Sequence, residues 1–197
     1  MHRLLTAAVA LAASSTAAFA HPGGPVHDLT HGFLHPISGL DHVLAMVAVG
    51  VLAAQLAGRA LWLLPAVFIA VMAAAAAFGV AGVAPPYAEL GIAASVLVLG
   101  VVIALRFGMP TSLAVLMVGI FAVFHGVAHG AEMPATIFGL AYGAGFVVAT
   151  ALLHVIGIGA AFVARALGEP FGGYALRTLG AIVGVIGVML VATSALA

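Results

Sequence analysis

Long apolar runs alternate along this chain with short breaks of polar, Gly or Pro residues. The runs fall at 37–57, 61–82, 88–106, 111–131, 136–164 and 174–196, punctuated by Gly58-Arg59, Pro85-Pro86 and the segments 106–110, 132–134 and 168–173. Each run approaches or exceeds the ~20 residues needed to cross a bilayer, and lipid forces such segments to be helical because no water is present to satisfy their backbone groups. The pattern predicts an all-α, polytopic membrane helix bundle with six transmembrane helices. The fifth run is the longest and is expected to tilt or kink. Residues 1–20 follow a different grammar: His2 and Arg3, an apolar stretch at 4–13, then the small-residue end Ala18-Phe19-Ala20. That is the form of a secretory signal peptide cleaved before His21, with an apolar stretch too short for a span. The chain therefore divides into a signal peptide (1–20), a periplasmic His-rich lead (21–36) and a six-helix transmembrane domain (37–197). Pro36 suits a first helical turn, so His35 is expected to cap the first span rather than lie within a helix.

Charge orients the bundle. Cleavage leaves the mature amino terminus outside the cytoplasm, and six spans return the carboxyl terminus to the same side. Arg59, Arg106, Arg165 and Arg177 all lie in or beside the three loops that then face the cytoplasm, as the positive-inside bias requires. Asp28, Asp41, Glu89 and Glu132 lie on the outer side, and Glu169 alone lies inside. The expected location is the bacterial inner membrane, multi-pass, with both mature termini periplasmic. Gly126/Gly130, Gly139/Gly143 and Gly180/Gly184 have the G-x-x-x-G spacing of close helix contacts. These read as packing faces within the bundle and leave assembly into a homo-oligomer open.

Composition sharpens this picture. Of 197 residues 65% are hydrophobic, and a mean hydropathy of +1.35 excludes a soluble globular domain. The five basic residues are all Arg, so no P-loop lysine exists to drive an ATPase. Zero net charge without a basic run excludes a nucleic-acid partner. The absence of Cys removes disulfides, thiolate metal ligands and thiol nucleophiles together. Nine His in so apolar a chain are the anomaly.

Two groups carry the chemistry. In the stretch from His125 to Glu132, the residues His125, His129 and Glu132 stand at i, i+4 and i+7, within roughly 60° of arc on one helix. Two imidazoles one turn apart can share a first-row cation; the alternative is a pair of interfacial His bonded to nearby backbone. The second group is His35, Asp41 and His42 at the start of the first span. An ionisable residue inside a span costs on the order of 3 kcal/mol even on lenient scales, which makes it a functional candidate. Alternatively, Asp41 caps the helix and His42 bonds across the bundle. The candidate metal set is thus His35, Asp41, His42, His125, His129 and Glu132. His21, His27 and His31 of the lead form either a capture arm or a plain solvated tail. His154 is the one deep His, an inner relay or a satisfied core residue. Imidazole suits zinc, copper, iron and nickel, while magnesium and calcium prefer all-oxygen shells; a mixed His/Asp/Glu site fits nickel and cobalt, and zinc as well, and ligand identity does not separate them. No cofactor and no catalytic residue are expected: the partners are a divalent metal ion, carried as cargo, and the lipid bilayer. The same residues also suit an intramembrane zinc-dependent hydrolase, with His42, His125 and His129 on the metal and Asp41 or Glu132 as general base. A bis-His haem-binding membrane protein is a third reading.

The combination of His35-Pro36-x-x-Gly39-x-Asp41-His42 with Phe124-His125-Gly126-x-Ala128-His129-Gly130-x-Glu132 resembles the HupE/UreJ family. Its members are small bacterial membrane proteins, with a signal peptide and about six helices, regarded as nickel or cobalt permeases serving hydrogenases and ureases. The resemblance implies a non-enzymatic protein that takes up nickel or cobalt without ATP. It also implies that His35, Asp41, His42, His125, His129 and Glu132 handle the ion.

Overall fold

The computed structural model describes residues 29–83, 85–133 and 137–196; within them the chain forms helices and short connections, and no strand. The signal peptide expected at 1–20, with His21 and His27 of the lead, lies outside the described residues. The helices are α1 (Leu29–Ser38), α2 (Leu40–Leu56), α3 (Ala60–Val80), α4 (Ala88–Ala104), α5 (Thr111–Glu132), α6 (Ile137–Ala166) and α7 (Phe171–Leu196). The six runs read from hydropathy correspond to α2–α7, with every end within three residues of its expected place.

The lead departs from expectation. It does not run unstructured up to His35, and His35 does not cap a span: both His35 and Pro36 lie inside α1. Leu29, Phe33, Leu34 and Ile37 give this segment an apolar periodicity of its own, and Pro36 falls in the last turn, where its missing N–H and its ring disturb only one bond. Gly32 seats α1 against α6, because a Cβ there would collide with the Tyr142 backbone. At Gly39 the chain turns by 85° into α2.

Four helices (α3, α5, α6 and α7) are long and apolar enough to cross a membrane, or five spans if α1–α2 is one broken span. The apolar α4 has 17 residues and covers about 25 Å, short of the ~30 Å hydrocarbon thickness. At 30 residues, α6 is one continuous helix. The architecture is that of a multi-pass membrane protein.

Burial follows from this arrangement. Around α2 almost every residue from Ala45 to Ala54 is buried, as expected of a helix that is apolar on all sides and sits at the centre of a bundle. The most extensive pairings are α3 with α5, α4 with α7, and α6 with both α2 and α1. Two of the three G-x-x-x-G pairs make them possible. A Cβ on Gly126 or Gly130 would strike the α3 backbone at Met72 or Ala76, and one on Gly180 would strike α4 at Ala104. The outer faces carry exposed Leu116, Ile120, Val155 and Val185, which suits contact with lipid rather than water. The two ends of the bundle differ. One gathers Arg106, paired to Glu169 at 3.3 Å, and Arg165, whose guanidinium donates to the Ala54 and Gln55 carbonyls at the end of α2. Asp41, His42 and His129–Glu132 sit at the opposite ends of α2 and α5.

Candidate metal centre

The site forms where α1 and the start of α2 meet the last turns of α5. The His125/His129/Glu132 stripe is a consequence of helical period alone; its partners come from the bend at Gly39, which brings His35 and His42 to the same ring. His129 sits between them. Its Nδ1 lies 3.3 Å from His35 Nε2 and 3.1 Å from Glu132 Oε2. Its Nε2 lies 3.1 Å from His42 Nδ1. His35 Nε2 stands 2.9 Å from the same Glu132 oxygen. His35 Nε2, His129 Nδ1 and Glu132 Oε2 thus form a triangle with edges of 2.9, 3.1 and 3.3 Å.

These lengths match metal geometry. Donors 2.0–2.1 Å from an ion stand about 3.0 Å apart in an octahedral shell and about 3.3 Å apart in a tetrahedral one. Without an ion, the Glu132 carboxylate accepts N–H bonds from both rings; replacing those protons with a cation leaves the three atoms in place. His42 then acts from behind: its contact with His129 Nε2 holds that ring in orientation, as outer partners do for metal-ligating imidazoles. Side-chain exposure falls from Glu132 (55%) through His35 (33%) to His129 (18%), and His42 behind them is buried. The gradient defines a mouth and an interior.

The remaining expected residues are placed as follows. His125 is fully buried; its Nδ1–H donates to the Phe121 carbonyl at 3.0 Å, and its ring lies 5.2 Å from that of His42. The backbone alternative weighed for the α5 pair thus holds for one nitrogen of His125 and not for His129. Asp41 does not join the triangle. Its carboxylate accepts the His42 backbone N–H at 2.7 Å, satisfying one donor that the start of α2 would otherwise leave open. His31 is exposed on α1, outside the triangle. His154 is buried on α6, deeper in the bundle.

Sequence reasoning missed three contributors. Phe146 of α6 packs edge-on against His42 and at a tilt against His129, at ring separations of 5.1 and 4.9 Å, and Tyr142 reaches His35 at 5.8 Å. An aromatic at i and i+4 on α6 was visible in the sequence, but in an apolar helix that spacing does not stand out. Glu89 at the start of α4 interacts electrostatically with Asp41, His129 and Glu132; its place at an outer helix end was the only signal available.

Residues 9–190 match the HupE / UreJ protein family. The chain belongs to the HupE/UreJ family. Protein HupE of Rhizobium leguminosarum bv. viciae is 45% identical over 157 residues, covering 80% of this chain and 82% of that protein. No solved structure matches. Membership of the HupE/UreJ family extends across α1–α7 up to residue 190, so both halves of the triangle fall within the matched region.

Proposed function

We propose that the protein is a secondary, ATP-independent permease that carries nickel or cobalt, as divalent ions, into the cell across the bacterial inner membrane. The observation behind this reading is the His35–His129–Glu132 triangle, whose donor spacing suits one first-row cation. Two imidazoles and a carboxylate favour nickel, cobalt or zinc over magnesium and calcium. The HupE/UreJ family, associated with nickel and cobalt transport, supports the first two.

In this reading 1–20 is a cleaved leader, α1–α2 form one broken span, and the short α4 is the sixth crossing. Both mature termini are then periplasmic, the Arg-rich end faces the cytoplasm, and the triangle opens outward. His21, His27 and His31 of the lead act as a capture arm that raises the local ion concentration. Glu132 and His35 meet the ion first, His129 completes the grip, and His42 with Asp41 fixes its orientation. A potential of ~100 mV contributes about 2.3 kcal/mol per charge, so about 4.6 kcal/mol favours inward movement of a divalent ion. Glu132 cancels one of the two charges at the mouth, which makes capture firm while leaving release to the interior possible.

The test is flux into proteoliposomes with nickel, cobalt and zinc, with and without an imposed potential. Nickel or cobalt entry should accelerate with a negative interior. His129→Ala and His42→Ala should abolish it at unchanged insertion. A wild-type protein that carries neither metal and instead holds one slowly exchanging zinc would refute the permease and favour a zinc hydrolase.

A further inference from the structure

Below the mouth the bundle holds a second concentration of donors. His125, Thr150 and His154 are all fully buried. Among the described residues, His125 Nε2, Thr150 Oγ1 and both ring nitrogens of His154 have no hydrogen-bond partner. Buried polar atoms are normally paired, and each one left unpaired carries a desolvation cost. Three of these four atoms belong to one turn of α6, and the fourth shares an aromatic neighbour with them. Thr150 and His154 are one turn apart on α6 and so share a face. His125 and His154 each meet the Phe68 ring edge-on, with ring centroids 5.4 Å apart.

The local build is specific. The Phe121 carbonyl can only accept, so the proton of neutral His125 is on Nδ1 and a lone pair stands on Nε2. That is the tautomer a metal-ligating imidazole uses when a carbonyl orients it from behind. His154 is held where α2 and α6 approach closely: a Cβ on Gly50 would strike the His154 carbonyl, and one on Gly157 would strike that of Val47. A Thr hydroxyl within a helix commonly bonds back to the preceding turn; Thr150 does not.

We infer that His125 Nε2, His154 and Thr150 Oγ1 form a second, interior station for a divalent transition-metal ion, beneath the mouth and distinct from it. The inference rests on the permease reading above. Its chemistry differs from that of the mouth in one decisive respect, since it contains no carboxylate. Two neutral imidazoles and a hydroxyl leave both charges of the ion uncompensated, so this station holds the ion more loosely than the triangle does. Hard cations such as magnesium and calcium, already disfavoured at the two-imidazole mouth, find no suitable shell there. Descent from a firm, mixed site to a looser, nitrogen-rich one suits conduction, in which each site must bind well enough to fill and weakly enough to empty.

The experiment combines stoichiometry with flux. Purified full-length protein in detergent is titrated with cobalt(II), read by its visible d–d absorption, and with nickel by equilibrium dialysis; the same preparations are reconstituted for uptake. The wild type should bind two equivalents whose affinities differ at least tenfold. His154→Leu should lose the weaker equivalent, keep the tighter one at wild-type affinity and lose at least tenfold in nickel flux. Thr150→Val, nearly isosteric, should weaken the second equivalent and slow flux in the same direction. Glu132→Gln should weaken the first equivalent and spare the second. A single equivalent in the wild type, or two equivalents with flux within twofold of wild type in both His154→Leu and Thr150→Val, would overturn the interior station while leaving the permease standing. A wild type that carries no metal at all would overturn the permease first and the station with it.

Discussion

The carboxylate at the mouth offers the most direct quantitative test. Glu132→Gln keeps the volume, the helix position and one oxygen that can still touch a cation, and removes a single negative charge. That charge is shared between two oxygens, one of them 2.9 Å from His35 and 3.1 Å from His129; an ion about 2.1 Å from that oxygen sits about 3 Å from the centre of the carboxylate charge. Because the Glu132 side chain is 55% exposed, a water-like dielectric sets the floor: about 3 kcal/mol between a divalent ion and a carboxylate at that distance. This corresponds to about 100-fold in dissociation constant. Nickel affinity measured by equilibrium dialysis or calorimetry on the purified variant should fall by that factor or more. Raised ionic strength should narrow the gap as exposed charges are screened. Thermal unfolding of the metal-free variant checks that the loss is not one of folding. A dissociation constant within threefold of wild type, with an unchanged melting curve, would refute the triangle as the first binding site.

Other outcomes follow from the packing around that site. Gly130→Val places side-chain atoms against the Ala76 carbonyl of α3; overpacking of this kind costs about 1–3 kcal/mol, and the melting temperature and nickel affinity should fall together because His129 moves with its helix. Arg165→Ala removes the guanidinium that reaches the Ala54 and Gln55 carbonyls at the far end of α2. Stability should drop by about 1–3 kcal/mol while nickel binding at the mouth stays at its wild-type value, as dialysis would show. Asp41→Ala frees the His42 N–H at a cost of about 1 kcal/mol, lowering both stability and uptake. Asp41→Asn, which still offers an acceptor, should restore most of the stability in a thermal melt.

The sequence by itself determined the class and much of the layout. Apolar run lengths are local and unambiguous in a bilayer protein, so the ends of α2–α7 could be read closely, and four Arg at alternate loops marked the two ends. Helical period likewise placed His125, His129 and Glu132 on one stripe, since 3.6 residues per turn needs no tertiary information. What remained hidden depends on contacts across long stretches of chain. The first helix was obscured because its Pro looked like a beginning and lies in a last turn. The 85° bend at Gly39 joins His35 and His42 to a ring 94 and 87 residues away; no pattern in either segment specifies that meeting. Asp41 and His42 are adjacent in sequence, yet one turns back on its own backbone and the other crosses to α5, a choice made by the neighbouring helices. His154 could be a satisfied core residue or a donor site on sequence grounds alone. In the packed bundle neither of its ring nitrogens meets a hydrogen-bond partner among the described residues, which is a matter of tertiary contacts that no local pattern carries.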